Sequence, residues 1–386
     1  MSIIIPSYNK AGVIEKTINS VLSLDYPSKE IIVVNDGSTD NTLDICKKFV
    51  KSRKIKLISY SKNRGKAYAL NMGIRAAKND IVVTVDADSF PESGSLNKLV
   101  CYFADPKVGA VAGTVKVSNK KKFLVAYQGL EYLHQAFQRI CQGFLNTVMV
   151  APGPLTAYRK EALAKAGYFE NDTLVEDFDM TIKIHKAGYK VVSEKKAVVF
   201  TEAPKTIKEL WRQRVRWSRG GVQIAKKHFD IFSNKNTKRL AFFAFPLHML
   251  WLVLPFILVP TFLITTAKSA YALIQSILFG LSQIDLSRVS FSFDINSMGI
   301  YLFFVSLQQG IIDFLSLNNL NLLLMLGYIS VSIFLIFTGF SFRVLKEKFK
   351  PKDLQALVSI ALYWILLAIV GIYSILLEIT NRRRKW

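Results

Sequence analysis

Two short segments place carboxylates where they could hold a ligand. Asp36 follows the apolar run 30–34 and precedes Gly-Ser-Thr, and Asp86 and Asp88 follow the apolar run Ile81–Val85. Because parallel strands end at the same edge of a sheet, ligands collect there. A carboxylate at that edge can accept hydrogen bonds from a base or a ribose, and the i, i+2 pair offers the hard oxygens that Mg²⁺ or Mn²⁺ prefers. A capped turn and an ordinary loop are the alternatives.

Two later segments could act on such a ligand. Glu176 and Asp177 open a predicted helix, and an acid that faces a pocket from that position can serve as a general base. Compensation of the helix dipole would explain the same acids without catalysis. Gln213, Arg216 and Trp217 lie in a basic helix and could hydrogen-bond, pair with phosphate and stack on a sugar ring. An interfacial tryptophan among snorkelling arginines is the alternative.

The first 115 residues alternate short β-branched runs with amphipathic stretches, which predicts βα units and a largely parallel sheet. Further helices are expected over 123–148 and 206–228, with mixed elements over 152–203 between them. The expected strands are Ser2–Ile5, Glu30–Val34, Lys56–Ser59, Ile81–Val85 and Gly109–Ala112, and the expected helices between them are Val13–Leu24, Thr42–Lys51, Gly65–Ala77 and Gly94–Ala104.

The sequence beyond residue 240 indicates a membrane. Leu240–Thr266, Leu320–Phe342 and Leu357–Leu377 are nearly uncharged and long enough to cross ~30 Å of hydrocarbon. Tyr301–Leu317 is a weaker candidate that fits a re-entrant or interfacial helix equally well. At least three spans are therefore expected. The start of the chain predicts a strand and no secretory signal, so the first domain is expected in the cytoplasm.

The formal net charge of +23 fits a nucleic acid, an anionic membrane surface or a phosphorylated ligand. Basic residues crowd 205–239, just before the first long apolar run, where anionic head groups would attract them. Stacking aromatics do not interleave with them on a predicted sheet, so membrane lipids are the expected partner and nucleic acid is not. The spacing of the three cysteines indicates neither a disulfide framework nor a zinc site.

In their order and spacing, these segments resemble the signature of membrane-bound, processive family 2 glycosyltransferases, the synthases of poly-N-acetylglucosamine, chitin oligosaccharides, hyaluronan and cellulose. The resemblance covers about residues 2–225. It implies an α/β fold with a GT-A type nucleotide-sugar-binding domain over 1–203. A basic interface region with a Gln-x-x-Arg-Trp motif over 204–239 and a transmembrane helical region over 240–386 would follow.

The resemblance also implies a role for each segment. Asp177 matches the catalytic base, and Asp88 matches the ligand of Mg²⁺ or Mn²⁺. Residues 153–159 resemble the segment that lines the acceptor pocket, and 63–67 resemble the Asn-x-Gly-Lys stretch near the donor. The implied donor contacts are Pro6, Tyr8, Asp36, Lys66 and Asp86, and the implied acceptor and pyrophosphate contacts are Glu176, Gln213, Arg216 and Trp217.

The implied reaction is an inverting transfer from a UDP-sugar, either UDP-N-acetylglucosamine or UDP-glucose, to the non-reducing end of a growing β-linked polysaccharide at the cell membrane. A small membrane helper subunit is a further expected partner. Two alternatives stay open: transfer of a single sugar to a membrane lipid, and a non-catalytic membrane scaffold that has kept a sugar-nucleotide fold. Product length would separate the first, and the full set of acids argues against the second.

Overall fold

The computed structural model describes residues 1–118, 123–282, 322–358 and 360–380. Its centre is a sheet of eight strands in the order β3-β2-β1-β4-β7-β6-β8-β5. The strands are β1 Ser2–Ser7, β2 Glu30–Asp36, β3 Lys56–Tyr60, β4 Ile81–Thr84, β5 Ser89–Pro91, β6 Val108–Val117, β7 Thr156–Arg159 and β8 Lys190–Thr201.

Helices connect the parallel strands of the first half, as βα units require. Short 3₁₀ helices occupy Cys101–Ala104 and Phe229–Phe232, and a π-helical turn occupies Leu240–Ala244. The α-helices are α1 Ile14–Leu22, α2 Thr42–Lys51, α3 Lys66–Ala76, α4 Ser95–Val100, α5 Phe123–Leu145, α6 Lys160–Lys165, α7 Glu176–Lys186, α8 Ile207–Lys227, α9 Phe245–Ser282, α10 Leu322–Leu345, α11 Pro351–Val358 and α12 Ile360–Ile379.

The sheet is parallel in its first half, as predicted, and mixed in its second. β1 pairs in parallel with β2 and β4, and β2 pairs in parallel with β3. β7 runs antiparallel between β4 and β6, and β5 runs antiparallel along β8. The strand expected over Gly109–Ala112 extends over the whole of β6. The helix expected over Gly94–Ala104 divides into α4 and a 3₁₀ turn.

Both faces of the central strand β1 are covered. Ile3 and Ile5 pack into one hydrophobic cluster and Ile4 into the other, since alternate residues of a strand point to opposite faces. Full burial of each of these side chains contributes about 1.5–3 kcal/mol. A Cβ atom at Gly73 would overlap Ile4 Cγ2, so α3 packs directly on β1. This close packing holds α3 against the central strand of the sheet.

The start of α8 follows from its sequence. Thr206 caps the helix by accepting a hydrogen bond from Glu209 N at 3.2 Å, and the Glu209 carboxylate accepts one from Lys205 N at 2.8 Å. Thr-x-x-Glu is the capping-box pattern, which satisfies backbone donors at a helix start. The cap fixes where α8 begins and therefore which residues of its basic stretch face the sheet.

The described residues form two compact units, one within 1–253 together with those from 340 onward, and one within 254–339. Among the described residues, no helix has both the length and the apolar character needed to cross a membrane. The spans expected over Leu240–Thr266, Leu320–Phe342 and Leu357–Leu377 therefore stay predictions. The weaker candidate Tyr301–Leu317 lies outside the described residues.

Candidate active site

Asp36 ends β2 and is held by the loop that leads into α3. Its Oδ1 accepts a hydrogen bond from Arg64 N at 2.9 Å, and its Oδ2 accepts one from Gly65 N at 2.8 Å. Gly65 has a φ of +93°, which glycine adopts without the steric penalty of a side chain. The Asp36 carboxylate is buried, yet each oxygen keeps a lone pair for a ligand. Its contact with a donor base stays a prediction.

Lys66, the first residue of α3, joins two of the predicted acids. Its Nζ lies 2.7 Å from Asp86 Oδ1 and 2.8 Å from Glu176 Oε1. Burial disfavours the charged ammonium, but attraction to Asp86, Glu176 and Asp177 outweighs this effect and raises the pKa of Lys66. A Cβ at Gly153 would lie 2.8 Å from the same Nζ, so glycine is the residue that leaves this space free. Lys66, Asp86 and Glu176, which are all predicted site residues, thus lie together, with Lys66 beside the backbone of Gly153.

Asp177 lies beside this cluster and is held by two backbone amides. Its Oδ2 accepts a hydrogen bond from Gly153 N at 3.1 Å, and its Oδ1 accepts one from Phe178 N at 2.9 Å. Burial first, and then the negative charge of Glu176, raise the pKa of Asp177 to about 6, against the opposing effect of Lys66. A carboxylate with this pKa is ionised at neutral pH and is a stronger base than an ordinary one.

Asp88 pairs with a lysine that the sequence reasoning missed. The Nζ of Lys10 lies 2.6 Å from Asp88 Oδ2, and a third of the Asp88 side chain is exposed. Lys10 follows the end of β1, which adjoins β4 in the sheet. Its position just past a parallel strand, at the edge where Asp86 and Asp88 were expected, is the signal that could have identified it.

The predicted acceptor residues Gln213, Arg216 and Trp217 all lie on α8, but each has different neighbours. Arg216 Nη1 donates a hydrogen bond to Leu174 O at 3.3 Å. Burial acts to raise the pKa of Glu176, but attraction first to Lys66 and then to Arg216 outweighs it, and the pKa is lowered. The Trp217 ring lies with its centroid 4.2 Å from the Arg214 guanidinium. Within the described residues, the buried Oε1 of Gln213 accepts no hydrogen bond, so it can accept one from a ligand hydroxyl.

The first loop holds the remaining predicted donor residues. Pro6 lies in β1 opposite Val34, and Tyr8 follows the strand with 45% of its surface exposed. Asn9 Oδ1 accepts a hydrogen bond from Thr39 N at 2.8 Å and so joins the loops after β1 and β2. The donor contacts of Pro6 and Tyr8 stay predictions.

Comparison with known proteins gives information on the sequence family and on the fold. Residues 2–167 match the family model described as Glycosyl transferase family 2. This match assigns residues 2–167 to the Glycosyl transferase family 2 domain. Poly-beta-1,6-N-acetyl-D-glucosamine synthases of Staphylococcus epidermidis and of Staphylococcus aureus strain MSSA476 are each 36% identical to it, over 246 and 253 residues. These alignments cover 63% and 65% of this chain and 59% and 60% of the relatives, so the chain matches about three-fifths of their length.

A solved structure supports the fold. The mannosyltransferase PcManGT from Pyrobaculum calidifontis, in complex with GDP-Man and Mn²⁺, superposes with a TM-score of 0.59 at 20% identity, over 99% of this chain and 87% of that one. At this identity the likeness concerns the fold alone. Together with the family 2 match, it confirms the GT-A-like α/β fold.

The family 2 domain also contains a buried arginine that the sequence reasoning missed. Arg139 on α5 is 8% exposed and forms no hydrogen bond or ion pair with any residue that the structure describes. Burial lowers the pKa of Arg139 to about 10, while the nearby Tyr132 and Asp177 oppose the shift. The guanidinium therefore stays charged at neutral pH. An arginine on a helix that is otherwise largely apolar is the signal that could have drawn attention to it.

A second acidic group lies away from Asp88. Oxygens of Glu170, Asp172 and Asp179 lie within 4.8 Å of one another, the arrangement in the described part of the chain that could hold a metal. The Nζ of Lys227 lies 2.9 Å from Asp179 Oδ1 and 2.8 Å from Asp172 Oδ2, so a cation of the chain already neutralises this group. The metal expected at Asp88 stays a prediction.

Proposed function

We propose that the chain transfers N-acetylglucosamine from UDP-N-acetylglucosamine to the non-reducing end of a growing β-linked polysaccharide, with inversion at the anomeric carbon. The carrying observation is the cluster in which Lys66 joins Asp86 and Glu176, with Asp177 bound to the adjacent Gly153. The similar staphylococcal proteins are poly-β-1,6-N-acetylglucosamine synthases, which favours this donor over UDP-glucose.

Asp177 is the base in this proposal. With a pKa raised to about 6 by burial, it is ionised at neutral pH and accepts the proton of the acceptor hydroxyl. The freed oxygen attacks the anomeric carbon while the bond from that carbon to the diphosphate oxygen breaks. Attack opposite the leaving group turns an α-linked donor into a β-linked product, and UDP leaves with the bonding electron pair.

The acceptor sugar is held by side chains of α8. The Gln213 Oε1 that accepts no hydrogen bond within the described residues is placed to bind a sugar hydroxyl, and the Trp217 ring offers a face for a sugar. Arg216, beside Glu176, supplies positive charge for the departing diphosphate.

A divalent cation fits the acids that follow β4. Asp86 pairs with the Lys66 ammonium through Oδ1 at 2.7 Å and Asp88 pairs with the Lys10 ammonium through Oδ2 at 2.6 Å, so among the described residues each carboxylate keeps one oxygen for a divalent cation. Asp88, with Asp86 beside it, would hold Mg²⁺ or Mn²⁺ through carboxylate oxygens. The ion would supply positive charge that neutralises the diphosphate of the donor.

We place the family 2 domain, residues 1–203, in the cytoplasm, and residues 240–386 in the cell membrane, with the basic region 204–239 at the bilayer surface. The supporting observations are the apolar segments after residue 240 and the basic residues that precede them. Membrane lipids and a small membrane helper subunit are the further partners in this proposal, and nucleic acid is not one.

Product analysis tests the proposed function. Membranes that contain the full chain are incubated with radiolabelled UDP-N-acetylglucosamine or UDP-glucose and with Mg²⁺ or Mn²⁺. We expect a metal-dependent polymer from the first donor, its loss in Asp88→Ala, and its retention in Asp44→Asn, which removes a negative charge from an exposed acid. A single labelled lipid would replace polymer synthesis with glycolipid synthesis. Transfer from neither donor would favour the non-catalytic scaffold.

A further inference from the structure

A pocket of about 220 Å³ lies at the end of α7 opposite to Glu176 and Asp177. It is separate from the proposed catalytic cluster, because its walls come from the residues after α5, the last turn of α7 and the segment before α9. The residues that line this basic pocket include Asn146, His185, Lys235, Asn236, Lys238 and Arg239.

The basic pocket carries three cations and no matching acid. Lys235, Lys238 and Arg239 are exposed, and none of them forms an ion pair or a side-chain hydrogen bond with a residue in the described part of the chain. His185 adds no charge, since its Nε2 donates a hydrogen bond to Val148 O at 2.9 Å and burial lowers its pKa to about 4. Three uncompensated charges around one opening suit the oxygens of a phosphate group.

Exposed apolar side chains flank the basic pocket on both sides in sequence. Phe144, 85% exposed, and Leu145 come directly before Asn146, and Phe242 and Phe243, 71% and 63% exposed, follow Leu240. Adjacent exposed apolar side chains of this size mark a surface that another apolar phase covers. Aromatic side chains beside lysine and arginine are typical of the zone where a bilayer meets water.

We propose that the basic pocket binds the phosphate of an anionic phospholipid while the flanking phenylalanines enter its acyl layer. A soluble phosphate compound would use the cations but leave the phenylalanines exposed, whereas an anionic lipid matches the charge and the apolar flanks together. The apolar helix α9 begins at Phe245, directly after this surface. The site would therefore hold the start of α9 at the head-group level of the bilayer.

The lipid site rests on the proposed placement of residues 204–239 at the bilayer surface and is separate from the proposed sugar transfer. Its walls contain none of the residues assigned to donor, acceptor or metal, so lipid binding can be measured without any transfer reaction. Failure of the lipid proposal would leave the transfer reaction in place, and failure of transfer would leave the lipid proposal in place.

Thermal unfolding of the full chain in a neutral detergent tests the proposal. Dioctanoyl phosphatidylglycerol, dioctanoyl phosphatidylcholine and glycerol 3-phosphate are titrated separately, and the unfolding midpoint is followed. We expect a saturable rise of the midpoint with phosphatidylglycerol and little change with the other two. In Lys235→Gln/Lys238→Gln/Arg239→Gln, the apparent affinity for phosphatidylglycerol should fall about tenfold or more.

A matched variant controls for the loss of charge. Lys48→Gln/Lys51→Gln/Lys54→Gln removes three exposed cations around the end of α2 and should bind phosphatidylglycerol as the original chain does. Phe242→Ser/Phe243→Ser should weaken phosphatidylglycerol binding with every cation in place. If the first triple variant does not fold, Lys238→Glu alone carries the test.

Three results would overturn the lipid site. The first is equal stabilisation by phosphatidylcholine and phosphatidylglycerol, and the second is unchanged affinity in the variants of the basic pocket. The third is stabilisation by glycerol 3-phosphate as strong as that by phosphatidylglycerol, which would assign the pocket to a soluble anion.

Discussion

Burial of Asp177 raises its pKa and also lowers the free energy of unfolding of the chain when the carboxyl is ionised. Its ordinary pKa of 3.8 rises to about 6, first through burial and then through the charge of Glu176. Below pH 3.8 the carboxyl is protonated in both the folded and the unfolded chain and has no effect on stability. As pH rises to 6, the unfolded chain loses its proton first, so the free energy of unfolding falls, and above pH 6 the full cost remains.

The variant Asp177→Asn should therefore lose activity and gain stability. Loss of a general base lowers kcat/KM by about 10²–10⁴-fold. Removal of the buried charge should raise the free energy of unfolding at pH 7 by about 3 kcal/mol. Initial rates and thermal unfolding measure the two effects on one preparation. A variant that transfers sugar at a near-normal rate, or that is less stable than the original chain, would contradict the assignment.

In the proposed reaction, the same ionisation sets the pH dependence of transfer. The base must be deprotonated, so kcat/KM should rise with pH and level off above a midpoint near 6, the pKa to which burial raises Asp177. The measurement is the initial rate at limiting donor between pH 5 and 8. A rate that falls over this range would exclude Asp177 as the base.

Arg139 should matter to ligand binding more than to folding. Its buried guanidinium lacks a partner within the described residues, so Arg139→Gln removes a charge that the folded chain leaves uncompensated. We expect the unfolding midpoint to stay constant or rise, and kcat/KM to fall about tenfold or more, the worth of a hydrogen bond to a charged group. Arg75→Gln, at an exposed position of α3, is the control. Equal activity of both variants would assign Arg139 no role.

At the scale of elements, Gly153 lies in the candidate site and Gly73 in the hydrophobic core. Substitutions at the two positions should therefore have different effects on activity and stability. A Cβ at Gly153 would meet the flexible end of Lys66, so Gly153→Ala should change stability by less than about 1 kcal/mol. It would displace the ammonium from Asp86, and a misplacement of this kind lowers kcat/KM by about 10²-fold. Thermal unfolding would measure the small change in stability, and initial rates would measure the loss of kcat/KM. A variant with full activity would contradict the prediction.

Gly73→Ala should give the opposite result. The added methyl group would overlap Ile4 in the core between α3 and β1, and overpacking of this kind costs about 1–3 kcal/mol. Activity per folded molecule should stay close to that of the original chain, because Lys66 lies at the start of α3, away from Gly73. Thermal unfolding together with activity at low temperature measures both. An unchanged unfolding midpoint would show that α3 is not packed on β1 as described.

The order of elements in the first half of the chain could be predicted because each has a local signal. β1, β2, β3 and β4 are apolar runs bounded by turns, and α2 was expected with its observed bounds Thr42–Lys51. The directions of β5 and β7 could not be predicted, because local alternation does not determine which neighbour a strand pairs with. The π-helical turn Leu240–Ala244 likewise has no simple sequence signal.

Some residues of the candidate site could likewise be predicted from the sequence, and others could not. Asp86, Glu176 and Asp177 were expected from acids at strand ends and at a helix start, where one residue and its neighbours are informative. Lys10 and Arg139 were missed because their importance depends on partners far away in sequence. Lys10 pairs with an acid 78 residues further along the chain, and only the sheet order brings the two together.

At the scale of the molecule, two buried ion pairs and a tyrosine hydrogen bond join α5, α8 and α12. The Nη2 of Arg214 lies 2.7 Å from Glu131 Oε2, which also accepts a hydrogen bond from the Tyr363 hydroxyl at 2.6 Å. A second pair, at 2.6 Å, joins Arg219 to Glu378. These contacts link α5 and α8 to α12 and so hold the Gln-x-x-Arg-Trp helix against the end of the chain.

Loss of the first pair should destabilise the chain. Glu131→Gln leaves the buried Arg214 without a counter-charge, which costs about 3 kcal/mol or more. Thermal unfolding of the full chain in detergent measures this cost. Glu161→Gln breaks an exposed pair with Lys165 and should leave the unfolding midpoint almost unchanged. Equal midpoints of the two variants would show that the contact between α5, α8 and α12 does not stabilise the molecule.

The anomeric configuration of the first linkage formed tests the proposed reaction most directly. The full chain in membranes is given ¹³C-labelled UDP-N-acetylglucosamine with Mg²⁺ or Mn²⁺, and the product is examined by NMR beside products of Asp177→Asn and Asp44→Asn. We predict β-linked N-acetylglucosamine polymer from the original chain and from Asp44→Asn, and almost none from Asp177→Asn. An α-linked product, or undiminished polymer from Asp177→Asn, would contradict one-step displacement with Asp177 as the base.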